Sequence, residues 1–376
     1  MDDTRTTAPI CSSIQSWLGS VKPRIGTRRS KLVQAAKQTP RTSAVRLQAS
    51  NSDTALDISD LSRRVKDNGD ESQETVLYLG YGSNLCAETF RGKRGIKPLS
   101  QVNVTVPVLS LTFDLPGIPY SEPCFGNTRY RDVPPAQARD QEKAESSVQT
   151  EDYHKDRWHK GLVGVVYEVT KSDYAHIIAT EGGGSGYQDV LVDCYELSGD
   201  ATVEVPATPT GPTFKAHTLF APANVARPEH SYAQPSTRYL KLITDGASEH
   251  DLPNEYQDFL HNIRTYHLTS NKQQLGLFIF LSLWAPVFLL FFGGGGAMFL
   301  RENGTYPPWF ATFARSVFTA CWASYDGFFR RMFGDGERTI GDGHGAADGE
   351  VASEKVPLLV ESNGRQPLSC GHGTFV

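Results

Sequence analysis

The chain has 376 residues, with 37 Lys and Arg against 42 Asp and Glu, for a formal net charge of −5. That balance excludes a broad phosphate-binding surface, which needs a concentrated positive field, so no nucleic acid partner is expected. Six cysteines (Cys11, Cys86, Cys124, Cys194, Cys321 and Cys370) are scattered without a C-x-x-C pair. This excludes zinc-type spacing and favours reduced thiols in a cytosolic setting.

In chain order, residues 1–72 read as a disordered tail, rich in Ser, Thr, Arg and Gln and poor in aromatics. Such a segment buries too little apolar surface to offset its ordering entropy. Arg28, Arg29 and Lys31 make its first fifty residues basic after Asp2 and Asp3. A targeting segment would share that bias, but the two acids and several prolines favour a solvated tail, and no secretory signal is expected. Order is expected from 73 to 268. Val76–Leu79 is a β-prone run that meets a Gly-punctuated turn at Gly80–Asn84. Val102–Phe113 alternates in part as a second strand, bent at Pro107 or lying at an edge. Residues 132–157 are polar and charged and read as an inserted loop. Gly161–Val169 is an almost continuous apolar run that suits a buried strand. Ser172 or Asp173 can cap a short helix through Thr180. Tyr187–Leu197 and Lys215–Phe220 read as strands, and 236–245 and 253–267 as helices, the latter with Tyr256, Phe259, Leu260 and Ile263 at helical spacing.

Residues 275–300 carry no charge and are long enough for the ~20 residues that span a bilayer, so a single transmembrane helix is expected there, with membrane lipid as its partner. Pro286 is tolerable in such a helix. Lys and Arg are balanced on its two sides, which leaves orientation open. Residues 309–333, with Phe310, Phe313, Val317, Cys321 and Phe328 interrupted by Arg315, Arg330 and Arg331, predict an interfacial amphipathic helix. Residues 334–376 read as a second disordered tail.

Two stretches carry candidate chemistry. In Tyr78-Leu79-Gly80-Tyr81-Gly82-Ser83-Asn84 a glycine after a strand lets the backbone turn sharply, and the N–H groups exposed there can hold a carboxylate. By composition alone an ordinary β-turn is the plainer reading. In Ala179-Thr180-Glu181-Gly182 a lone carboxylate sits between apolar runs. Burial would raise its pKa toward the range useful for proton transfer; an ordinary helix end capped by Gly182 is the plainer reading. No G-x-S-x-G elbow supports a serine nucleophile.

Together with Pro235-Ser236-Thr237-Arg238-Tyr239, Asp245-Gly246-Ala247 and Leu252-Pro253-Asn254-Glu255-Tyr256, these stretches resemble the γ-glutamylcyclotransferases over about residues 76–266. The resemblance implies an α+β fold, a small mixed β-barrel flanked by helices. It implies Glu181 as general acid/base, a substrate site lined by Tyr78, Leu79, Gly80, Tyr81, Gly82, Ser83, Asn84 and Tyr239, and no metal or organic cofactor. The implied reaction releases 5-oxoproline from a γ-glutamyl compound by internal aminolysis. A γ-glutamylamine cyclotransferase of the same fold and a non-catalytic, membrane-tethered binding protein are the alternatives. Two departures stand out. Gln188 occupies the place of a family tyrosine, with Tyr187 beside it, and His217-Thr218-Leu219 stands where the family has a tyrosine on a later strand. The catalytic domain is expected in the cytosol, tethered by residues 275–300.

Overall fold

The computed structural model describes residues 25–57, 74–131, 158–180, 187–221, 227, 233–290 and 308–339. Five strands close into a barrel in the order β1 (Thr75–Gly80), β5 (Leu162–Thr170), β2 (Ser100–Val106), β6 (Gln188–Glu196), β7 (Thr213–Phe220). Four neighbouring pairs are antiparallel and the closing pair, β1 with β7, is parallel. An odd number of strands cannot close with antiparallel neighbours throughout, so one join must be of the other kind. β5 explains its own apolar run: it sits between β1 and β2 and is buried on both faces through Tyr167. β6 alternates around its middle, where Val192 and Cys194 are buried and Asp193 between them is exposed.

The single strand expected over Val102–Phe113 is two. The chain turns at Pro107-Val108, and β3 (Leu109–Ile118) leaves the barrel to pair with β4 (Glu122–Tyr130) in a separate two-stranded sheet. Proline lacks the N–H that would continue the ladder, so the break falls there. Four helices follow the expected order: α3 (Lys171–Thr180), α4 (Thr237–Glu249), α5 (Asn254–His261) and α6 (Asn271–Phe288). Cys86, Cys124, Cys194 and Cys321 are buried free thiols. The insert at 132–157 lies outside the described residues, as do most of both tails.

The N-terminal segment departs from the disordered reading. Ile25–Lys37 forms α1 and Ala44–Ala49 forms α2. Their anchors are charged and backbone groups. Arg29 pairs with Asp245 at 2.6 Å, Arg41 with Glu196 at 2.5 Å, and Arg46 donates to the Thr75 carbonyl at 3.1 Å. Ala36 and Leu47 supply the few buried apolar groups. Composition measures how much core a segment brings, and this one borrows the core of the barrel.

The transmembrane helix expected at 275–300 is not found among the described residues. Among the described residues no helix is long and apolar enough to cross a membrane. The uncharged apolar part of α6, Leu275–Phe288, is about 21 Å long at ~1.5 Å per residue, short of the ~30 Å hydrocarbon core. Residues 291–300 lie outside the described residues. Gly276, Phe280 and Phe288 turn inward, where Phe280 and Phe288 join Tyr120 at the β3–β4 tip and Phe310, Cys321, Trp322, Tyr325 and Phe329 of α7 (Pro308–Ser324) and its continuation to Phe333. The helix over 309–333 is therefore present, but its apolar face packs within the protein. The segment Gly334–Thr339 straps this layer to the β3–β4 tip and to the stretch before α4: Tyr120 N–H donates to the Gly336 carbonyl and Gln234 N–H to the Glu337 carbonyl, each at 2.8 Å. Arg227 bonds Asp326 and Glu337, each at 2.8 Å, and lies 4.3 Å from the Trp322 ring.

Candidate functional site

β1 delivers its last residues to a sharp turn. Leu85 N–H donates to the Gly82 carbonyl at 3.0 Å and Cys86 N–H to the Ser83 carbonyl at 3.2 Å, forming one turn of 3₁₀ helix over Ser83–Leu85. Tyr78 is buried on the strand, and its hydroxyl accepts from Asn84 Nδ2 at 2.8 Å. The loop is thereby tied to its own strand. Phe90 stacks on Tyr78 at 6.1 Å and approaches Tyr167 at 4.5 Å.

The underside of the turn rests on the far end of α4. His250 Nε2 lies 2.8 Å from the Tyr167 hydroxyl and 3.1 Å from the Leu85 carbonyl, and the Tyr167 hydroxyl donates to the Asn84 carbonyl at 3.4 Å. Burial lowers the His250 imidazole to about 4, so it is neutral near pH 7 and carries its proton on Nε2, facing the carbonyl. Glu249 Oε2 accepts from Ala87 N–H at 2.7 Å, and burial holds this carboxyl above its ordinary range. Gly246 fits where no side chain could: a Cβ there would stand 2.5 Å from Leu85.

Tyr239 reaches the turn from the near end of α4. Ser236 caps the helix by accepting from Tyr239 N–H at 3.0 Å, and donates to the buried Glu122 at 2.7 Å. Arg238 pairs with the same Glu122 at 2.5 Å. The Tyr239 hydroxyl accepts from Gly126 N–H on β4 at 2.9 Å and lies 3.4 Å from where a Cβ on Gly82 would be. The Phe125 ring meets it edge-on at 5.1 Å. One phenol therefore joins the Gly80–Asn84 turn, the β3–β4 sheet and α4.

Of the residues singled out in the sequence, Tyr78 through Asn84 and Tyr239 lie in one neighbourhood. Glu181 lies outside the described residues. Its flanks, Thr180 at the end of α3 and Tyr187 just before β6, are described, and Arg94 donates to the Thr180 hydroxyl. His217 sits on β7 directly opposite Tyr78. Sequence reasoning missed Gly126, His250 and Glu122, and read Tyr167 only as part of the strand at Gly161–Val169. No local signal marked β4, whose sequence holds a proline, a glycine and an asparagine, and a lone His or Glu carries none. Among the described residues no group of His, Cys, Asp and Glu is arranged to hold a metal ion.

The chain is similar to fungal proteins named γ-glutamyl cyclotransferase. It is 30% identical to aclK of Aspergillus oryzae over 70% of this chain and 90% of that protein. It is 28% identical to gliK of Aspergillus fumigatus over 75% of this chain and 95% of that protein. Residues 270–332 match the AclK C-terminal domain family. A solved γ-glutamyl cyclotransferase, 20% identical, covers 54% of this chain and 96% of its own length with a TM-score of 0.36.

Proposed function

The chain belongs to the γ-glutamyl cyclotransferase family, and from that premise we propose that its site binds a γ-glutamyl amino acid, glutathione or a related conjugate and releases 5-oxoproline. The observation that carries the site assignment is the meeting of Gly82 with the Tyr239 hydroxyl, which joins two motifs far apart in sequence at one surface.

The reaction is internal to the substrate. Glu181 takes a proton from the α-ammonium. The freed amine attacks the γ-carbonyl carbon of the same residue, and a five-membered lactam closes. The bond from that carbon to the attached nitrogen breaks as Glu181 passes its proton to the leaving nitrogen; the carboxylate then takes the second proton, still on the ring nitrogen, and hands it to the departing amine, which leaves as an ammonium and restores free Glu181. Because nucleophile and electrophile share one molecule, the enzyme's main task is to hold the folded conformer. The backbone N–H groups of Gly82 and Ser83 seat the α-carboxylate. Tyr78, Leu79, Gly80, Tyr81, Asn84 and Tyr239 shape the rest. The test is 5-oxoproline release from a panel of γ-glutamyl amino acids, glutathione, glutathione conjugates and γ-glutamylamines. Turnover of the first three is expected. Turnover confined to γ-glutamylamines would select the other leaving-group class, and none from any substrate would leave a binding protein.

We also propose that this enzyme works in the cytosol against an anionic membrane surface, lying on it rather than crossing it. The outward face of α6 exposes Leu275 (53%), Phe278 (70%) and Leu283 (54%) at helical spacing. Phe333, which neighbours Arg330 and Arg331, packs on Gly276, so those arginines and Lys272 gather at one end of the stripe. Basic groups beside an apolar face match anionic headgroups. Co-sedimentation with vesicles containing phosphatidylserine is expected, weakened at least tenfold by Phe278→Glu with Leu283→Glu. Equal recovery of wild type and variant would overturn this, as would a dimer in vesicle-free buffer that the same substitutions dissociate.

A further inference from the structure

We infer that Asp189 is a positioning residue of the site, tying the two stems of the Glu181 loop to the strand beside Tyr78 through Tyr174 and His217. The Asp189 side chain is fully buried and that of His217 is 3% exposed. The carboxylate accepts from the Tyr174 hydroxyl at 2.5 Å, from His217 Nδ1–H at 2.9 and 3.0 Å to its two oxygens, and from Leu56 N–H at 2.6 Å.

The placement of these donors carries the argument. Tyr174 lies on α3, seven residues before Glu181, and Asp189 is the second residue of β6, eight residues after it. Their bond closes the base of that loop. His217 lies on β7 opposite Tyr78. The Tyr174 ring stands 5.8 Å from the Tyr78 ring and 5.7 Å from the His217 ring. A single carboxylate thus fixes α3, which ends one residue before Glu181, against β7, the neighbour of the strand that carries Tyr78. A buried charge needs donors from every side, and each donor it recruits is held in one geometry. Apolar packing would close the barrel as well or better, but it would not set the direction in which α3 and β6 leave the clamp. With Nδ1–H committed to Asp189, the His217 ring also has one orientation. This gives a role to the histidine that stands in place of the family's tyrosine.

The inference rests on the reading of Glu181 as general base, and the test separates the two. In the full chain, Asp189→Asn keeps the shape but offers weaker acceptance. We expect kcat to fall by about 10²-fold, the scale of a ~1 Å misplacement, with KM within about twofold. Tyr174→Phe and His217→Gln, which each remove or weaken one bond, should lower kcat less, with KM again held. If Asp189 acts through Glu181, then Asp189→Asn should cost nothing further on the residual activity of Glu181→Gln, because groups acting as a unit are not additive. Wild-type kcat in a folded Asp189→Asn enzyme, or the same fold-loss in both backgrounds, would overturn the inference while leaving an inactive Glu181→Gln to support the base. Should Asp189→Asn fail to fold, wild-type kcat in both Tyr174→Phe and His217→Gln would overturn it. Full activity of Glu181→Gln would sink the base assignment and this inference with it.

Discussion

Glu181→Gln is expected to lower kcat for 5-oxoproline release by about 10²–10⁴-fold, the range supplied by a positioned acid or base, with KM within about threefold. Glutamine has nearly the same shape and still offers a carbonyl oxygen, so substrate should still bind. What it lacks is a site for the proton. The α-amine of a γ-glutamyl group is mostly an ammonium near neutral pH, and an ammonium has no lone pair with which to attack. The same proton must later reach the leaving nitrogen, because an amide nitrogen departs poorly as an anion. One carboxylate serves both steps, so its loss harms both. Steady-state kinetics with a saturating γ-glutamyl substrate, with 5-oxoproline quantified directly, provides the check. Release within tenfold of wild type would mean that another group, or solvent, carries the proton.

Gly246→Ala is expected to damage both the stability of the chain and the turn of the site. A Cβ there would lie 2.5 Å from both the carbonyl carbon and the Cβ of Leu85, and 2.6 Å from Cys86 N. These are backbone atoms or atoms rigidly attached to it, so no rotamer change relieves the contact. Neither side can yield cheaply. The turn is held from beneath by His250 and Glu249, while α4 is seated by Leu240, Ile243 and Ala247, all buried. Elsewhere a glycine in a helix interior gains about 0.5–1 kcal/mol on becoming alanine. Here the sign should reverse, with a loss of about 1–3 kcal/mol from overpacking. The turn is also the proposed seat of the substrate carboxylate, so kcat/KM should fall about 10²-fold through misplacement. Gly199→Ala, where nothing lies within 4 Å of the new carbon, is the neutral control. Denaturant unfolding and kcat/KM on both variants decide the matter, and a Gly246→Ala enzyme as stable and active as that control would refute the packing argument.

Much of the catalytic half was legible before any coordinates. Val76–Leu79 and Gly161–Val169 read as strands because short apolar runs rich in β-branched residues have few other stable uses. The helix through Thr180 is present, but its expected cap at Ser172 or Asp173 is not: the helix begins at Lys171, and Thr170 accepts from Asp173 N–H at 3.0 Å; the helix expected over 236–245 is α4, capped by Ser236. β4 was not legible. Its sequence, EPCFGNTRY, has a proline, a glycine and an asparagine, and it is a strand only because β3 lies beside it. His250 and Glu122 were silent for a related reason: a buried polar residue looks like a surface one until its partner is known.

The sequence by itself determined the local parts of this protein: the turn that Gly80–Asn84 makes, the cap at Ser236 and the run that fills β5. These depend on neighbours within a few residues, so composition and period encode them. Tertiary structure alone decided what each apolar or charged stretch would face. The uncharged run from Leu275 reads as a membrane span when no other partner is in view, yet Phe280 and Phe288 bury against Tyr120 and the α7 layer. The basic tail reads as solvated, yet Arg29 lies on α1 against Asp245 and Glu249. Burial and charge pairing join residues more than a hundred positions apart, and only the closed barrel brings them within reach.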